Sequence, residues 1–243
     1  MTVKHQAHIE QYVEYFKIKL AEIEALRTKS ERLFQHILYF GILDALSKCI
    51  YPHEGNHDRL TGLVLKFGQW ADAERVSATH LLQLLRKIPG PEFDSLREYT
   101  RQKVESMGFP SGYLPTLDKD PEIEEVRSQW PKSVPPVLIK GIRLESLQHI
   151  NLFYAFRNSI IHEMRTPGRG FDLADKNEPY YHNMLNIESE DVQYESIELE
   201  YPAKFLLRLC TVCLEGVQQH LLKNDLNPYD YYDFGSYWIP DLN

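Results

Sequence analysis

Arg157, Asn158 and His162 stand close together in the stretch F-Y-A-F-R-N-S-I-I-H-E-M-R, residues 153–165. An imidazole moves protons near neutral pH, and a guanidinium holds phosphate oxygens through a planar fork of donors. Together such groups can open an RNA phosphodiester without a metal. One takes the 2′-hydroxyl proton while the cation steadies the charge growing on the phosphorane. Arg157 and His162 are five positions apart, so on a helix they point roughly 140° away from each other. Asn158 and His162, four apart, share a face.

The element that must position these groups is a long apolar-periodic segment, residues 144–165, predicted as a buried helix. Ile150, Phe153, Tyr154, Ile161 and Met164 fall within one arc of that helix, while Gln148, Asn151, Asn158 and His162 form a polar stripe. Arg157 falls inside the apolar arc. A guanidinium cannot shed its proton there and must meet an anion, from the chain or from a ligand. A second misplaced charge stands far away in sequence. Asp44 is the one formal charge between Arg32 and Lys48 in an otherwise greasy segment, and a carboxylate at such a position is rarely left unpaired. Asp44 therefore either supports Arg157 as its counter-charge or is satisfied locally at a partly exposed position.

The run Arg157-Asn158-Ser159-Ile160-Ile161-His162 resembles the R-x4-6-H signature of the HEPN superfamily, with a polar residue after the Arg and apolar residues around it. Arg75…His80 and Arg143…His149 fit the same formula, but Ser77 reads as a helix N-cap inside the first and Arg143 stands at a helix start in the second. The resemblance implies an all-α fold, an up-and-down helical bundle of HEPN type. It also implies a metal-independent endoribonuclease of a defence or toxin–antitoxin type, with Arg157, His162 and Asn158 as catalytic residues and 2′,3′-cyclic phosphate ends as product. Members of this family dimerise so that two signature helices share one cleft, so a homodimer is expected, with RNA as substrate and an antitoxin or other protein as partner. Some members have lost catalysis; a non-catalytic module that binds a nucleotide or a partner protein is the alternative. Met164 stands where family members controlled by modification of a tyrosine carry that tyrosine, so this mode of control is not expected.

Two patterns point to metal and neither is convincing. His53-Glu54-Gly55-Asn56-His57 matches H-E-x-x-H, but that chemistry needs both histidines on one helix face. Pro52 and Gly55-Asn56 break the helix there, and a turn is expected, with Asn56 capping the next helix. Cys210 and Cys213 form C-x2-C with no second pair nearby, since the remaining cysteine is Cys49. No metal and no cofactor are expected.

Composition agrees with a globular cytoplasmic protein. The chain has 243 residues, 43% hydrophobic and 26% charged, with net charge −8. That charge disfavours indiscriminate nucleic-acid binding and requires any RNA site to be small or selective. Early charges leave no leader-like apolar run, and the longest apolar segments carry His36, Asp44 or Arg157, so no membrane span is read.

In order, helices are predicted over residues 5–26, 31–51, 58–70, 77–88 and 92–107, with Ser30 and Ser77 as N-caps. A proline-rich excursion over 109–140 follows, then the signature helix. Alternation over 180–187 and 194–200 predicts a small β-hairpin before the last helix, which Pro202 opens. Residues 1–223 form one domain in this reading, and 224–243 are an acidic aromatic tail that packs back on the bundle or reaches a partner.

Overall fold

The computed structural model describes residues 4–108, 114–135, 141–168, 172, 173, 175–189 and 192–231. Helices dominate, and a two-stranded antiparallel hairpin precedes the last helix, as expected for an all-α bundle carrying a small hairpin. The helices are α1 (Gln6–Glu24), α2 (Glu31–Ile50), α3 (Asn56–Phe67), α4 (Ala78–Leu85), α5 (Asp94–Met107), α6 (Ile123–Gln129), α7 (His149–Glu163) and α8 (Ala203–Asn224). Strands β1 (Tyr180–Ser189) and β2 (Val192–Glu200) lie between α7 and α8. Contacts divide the chain into two compact units. One comprises Met1–Glu31, Leu38–Gln69 and Leu207–Asn243; the other comprises Arg32–Ile37 and Trp70–Leu206.

The first unit buries the apolar stripe of α1 (Ile9, Tyr12, Val13, Phe16, Leu20), and its core includes Leu43 and Leu46 of α2, Leu60 and Leu63 of α3, and Cys213 and Val217 of α8. The Cys210 thiol donates to the Tyr39 carbonyl at 3.4 Å. Gly216 lets α3 approach α8, because a Cβ there would lie 2.6 Å from the Phe67 ring. Residues after α8 return to this core, with the Tyr229 ring edge-on to Tyr12 at 5.8 Å. The remainder of the predicted tail, 232–243, lies outside the described residues. Among those described, α2 is long and apolar enough to cross a membrane by length and composition, and half of its apolar window is buried inside the protein.

The second unit has two apolar centres. Val76, Leu81, Leu85, Phe93, Leu96, Val126, Leu144 and Leu147 form one. The other is aromatic: Trp70 and Phe205 stand 5.1 Å apart, Phe153 and Tyr201 5.2 Å, and Phe156 and Tyr201 5.1 Å, all edge-on. Edge-on pairs add to what area burial alone supplies. β1 and β2 pair from Tyr180↔Glu200 to Ile187↔Gln193, with a register shift between Ile187 and Ser189. The hairpin attaches through its first residues to the segment before α6, where the Tyr181 N–H donates to the Pro115 carbonyl at 2.8 Å and Tyr180 bridges to Thr116.

Several local expectations change. The signature helix starts at His149 rather than 144. Leu144–Leu147 is a 3-10 turn and Gln148 is extended, bridging to Val76. The apolar periodicity ran through both pieces because the turn buries Leu144 and Leu147 much as a helix would. Asn56 does not cap α3; Gly55 holds that position and Asn56 is the first helical residue. Ser30 occupies the cap position of α2 without a side-chain cap bond, whereas Ser77 does cap α4, accepting from the His80 N–H at 3.4 Å. The proline-rich excursion contains α6, closed at its start by a reciprocal Glu122–Glu125 capping box.

Candidate functional site

α7 is held hard at its beginning. The His149 and Ile150 N–H groups donate to the Arg75 and Ala73 carbonyls at 3.0 and 2.7 Å, and those of Asn151 and Leu152 donate to the Gln148 carbonyl at 3.0 Å. With the Gln148 N–H donating to the Glu145 carbonyl at 3.0 Å, all four N–H groups that a helix start leaves over are satisfied. Phe153, Phe156 and Ile160 then bury the inward face. The helix ends at Glu163, and Met164 takes the left-handed conformation at φ 56°.

The last two turns bring the three signature residues together. Arg157 is 8% exposed, Asn158 is half-buried and His162 is exposed. An Arg157 terminal nitrogen donates to Asn158 Oδ1 at 3.1 Å and lies 3.4 Å from His162 Nε2. The expected divergence of Arg157 and His162 is therefore overcome within one chain. The Cα–Cβ directions do diverge, but the long arginine stem lies along the helix surface and carries its head to the imidazole. With the guanidinium as donor, His162 Nε2 takes the acceptor role in this contact. Asp44, the proposed support, is half-buried on α2 in the first unit, where its backbone carbonyl accepts from the Ser47 hydroxyl at 2.8 Å. Arg157 belongs to the second unit.

The other patterns separate from this site. His53 and Glu54 lie in the turn before α3 and His57 lies inside it, so the H-E-x-x-H histidines do not share a helix. Arg143 is exposed. Arg75 is a clamp: it donates to Asp72 at 3.1 Å and to the Asp120 carbonyl at 2.6 Å, and pairs with Glu122 at 2.9 Å.

A polar network behind α7 was not read from the sequence. Asp120, 1% exposed, accepts from the Ala78 N–H at 2.8 Å, from His149 Nε2 at 2.7 Å and from the Tyr181 hydroxyl at 2.6 Å. Ser77 Oγ lies 2.7 Å from both the Tyr181 hydroxyl and His80 Nδ1. The network joins the starts of α4 and α7 to β1 and to the loop before α6. Burial raises the Tyr181 phenol well above its usual range, helped by the neighbouring Asp120 charge. Burial lowers His80 to about 4. Ser77, His80 and His149 were visible as a cap and as partners in the unused motifs, but no local pattern links them to Asp120 or Tyr181.

Glu200 is a second buried group outside the signature. It is fully buried, neither carboxyl oxygen has a hydrogen-bond partner among the described residues, and burial followed by the nearby Asp172 charge raises it to about 8. Asp172 itself accepts from the Ala203 N–H at 3.0 Å and lies 3.8 Å from Arg32. Desolvation and the Asp172 charge outweigh the lowering effect of the Tyr201 backbone and keep the Glu200 carboxyl protonated at neutral pH.

Compared with known proteins, the chain matches no family model, no curated protein and no solved structure. What the site can do is thus carried by the Arg157–Asn158–His162 geometry itself.

Proposed function

We propose that the chain is a metal-independent endoribonuclease of HEPN type. The observation that supports this is the guanidinium of Arg157 lying 3.4 Å from the acceptor nitrogen of an exposed imidazole, with Asn158 beside both. In this reading a substrate phosphate draws the guanidinium onto its non-bridging oxygens and releases His162 Nε2 to take the 2′-hydroxyl proton. The 2′-oxygen then attacks phosphorus and the bond to the 5′-oxygen breaks. The products are a 2′,3′-cyclic phosphate and a 5′-hydroxyl, whose proton comes from a second acid. A homodimer would supply that acid as the imidazolium of the other copy. Asn158 holds the guanidinium in register between turnovers.

The test is RNA cleavage in the presence of EDTA, followed on a denaturing gel. Wild type should cleave. His162→Ala should lower the rate by about 10²–10⁴ with little change in thermal midpoint, because the ring is exposed. Arg157→Ala should also lose activity and, being buried, some stability. His53→Ala should remain active. Cleavage that persists in folded His162→Ala protein rejects the mechanism. Wild type that binds a nucleotide or partner protein without cleaving RNA makes the chain a non-catalytic module instead.

A further inference from the structure

His36 lies in the second turn of α2 and is 1% exposed. Its Nδ1 is 2.6 Å from the Arg32 carbonyl oxygen, and its Nε2 is 2.7 Å from the Tyr201 carbonyl oxygen. Both partners can only accept. A neutral imidazole carries one N–H and one bare nitrogen, and only the imidazolium donates from both. In a neutral ring, one of these contacts would press two lone pairs together at the short end of hydrogen-bond range. Turning the ring over would present carbons to both carbonyls and satisfy neither. Charge-assisted bonds are short in this way, and two of them offset part of the cost of holding a charge away from water.

We propose that His36 is an imidazolium in the folded protein, and that its second proton latches the first turns of α2 to the junction between β2 and α8. His36, Arg32 and Tyr201 all belong to the second unit. The Arg32 contact is made within α2, one turn back, so it joins nothing new. The Tyr201 contact spans 165 residues and holds the residue against which α7 is seated. The Tyr201 ring stands edge-on to Phe153 and Phe156 at 5.2 and 5.1 Å, and its hydroxyl donates to the His149 carbonyl at 3.2 Å. The His36 ring lies 5.7 Å from that of Phe156, close enough for a cation to gain from an aromatic neighbour. Charged and titratable groups stand on each element around the ring. They are Arg32 on α2, Arg157 next to Phe156 on α7, Glu200 next to Tyr201, and Asp172, which is 3.8 Å from Arg32. Glu200 is neutral at pH 7, so Asp172 is the anion of this set. The two arginines oppose a further positive charge, which leaves the two carbonyls as the groups that hold the proton. Once it is released, one of the two contacts must open. The inference concerns the seat of α7 and is independent of the chemistry proposed for its far end.

Nuclear magnetic resonance of the full chain labelled with ¹⁵N-histidine tests it, with the His36 ring assigned by its absence in His36→Gln. At pH 7 both ring nitrogens should be protonated, each with an N–H proton slow to exchange with water. One protonated and one bare nitrogen would overturn the proposal. Should His36→Gln fail to fold, the wild-type spectrum still decides, because one of the ten histidines must show two protected N–H protons and none would if the ring were neutral. The latch has its own readout in thermal midpoints. The glutamine amide can donate to one carbonyl and has no proton to release, and Glu200 titrates alike in both proteins. Wild type should therefore lose about 3–12 °C relative to His36→Gln as the pH rises through the range where one ring N–H signal disappears, the scale for one charge-assisted bond. A constant difference between the two midpoints would overturn the latch.

Discussion

Asp120→Ala should cost about 3–5 kcal/mol of stability, the scale for removing one partner of a buried charged pair. Three donors converge on the carboxylate: the Ala78 N–H at 2.8 Å, His149 Nε2 at 2.7 Å and the Tyr181 hydroxyl at 2.6 Å. They do not contribute equally to the loss. Tyr181 can turn its proton to Ser77 Oγ, 2.7 Å away. The Ala78 N–H and His149 Nε2 have no such second acceptor among the described residues, and each orphaned buried donor costs about 1–3 kcal/mol. Asp120→Asn separates geometry from charge. Its oxygen can still accept from Ala78. The amide nitrogen can donate to His149 only if that ring carries its proton on Nδ1, a buried atom with no partner among the described residues, so the expected loss is about 1–3 kcal/mol, below that of Asp120→Ala. Urea unfolding followed by circular dichroism gives both numbers from the midpoint, provided the slope stays constant. A loss below about 1 kcal/mol for Asp120→Ala, the range of ordinary surface changes, refutes the view that this carboxylate ties α4, α7 and β1 together.

Glu200→Gln should stabilise the protein at pH 8 and leave it unchanged near pH 4. The folded carboxyl titrates at about 8 against an ordinary value of 4.5, so the folded state holds a proton that the unfolded chain has released, and wild-type stability falls as pH rises between those values. The neutral amide removes that dependence, worth on the order of 4 kcal/mol at the upper end; thermal midpoints of both proteins from pH 4 to 9 measure it, and parallel curves would contradict the assignment. Gly216→Ala should cost about 1–3 kcal/mol, the range for overpacking a filled site, because its Cβ would sit 2.6 Å from the Phe67 ring. An unchanged denaturation midpoint would mean that α3 and α8 are not in close contact there.

The elements were legible where periodicity was long and its stops were chemically sharp. α1 and α8 follow their apolar stripes, α2 spans its continuous apolar run although Phe34 and Leu38 stay exposed, and the hairpin follows its alternation to within two residues at either end. The start of α7 was misread because a buried 3-10 turn and a buried helix present similar apolar residues, and only backbone pairing of Gln148 with Val76 distinguishes them. α6 was hidden by the prolines around it, although Glu122 and Glu125 carried a capping signal. The three signature residues were visible because Arg157 sits among apolar neighbours, and that mismatch survives as 8% exposure in the fold. Their contact was not visible, since it depends on how an arginine stem lies rather than on helix angles. The Asp120 network was out of reach for a different reason. Asp120 draws its donors from 29, 42 and 61 residues away along the chain, and no local spacing reports a contact made by the path of a loop.

α7 has unequal ends, and this governs where the protein can loosen. Its first-turn amides are bonded to carbonyls from residues 73, 75 and 148, so solvent exchange there requires the neighbouring segment to open as well. Its last turn ends in a left-handed methionine, a conformation costing about 1–2 kcal/mol for a residue with a side chain. Fraying of that turn needs little energy and disturbs none of the anchors. His162 rides on this soft end and Arg157 lies one and a half turns inward, so small unwinding changes the spacing between imidazole and guanidinium while the core stays whole. The helix behaves as a lever clamped at one end, and local opening at the other can tune the reach of its imidazole without global unfolding.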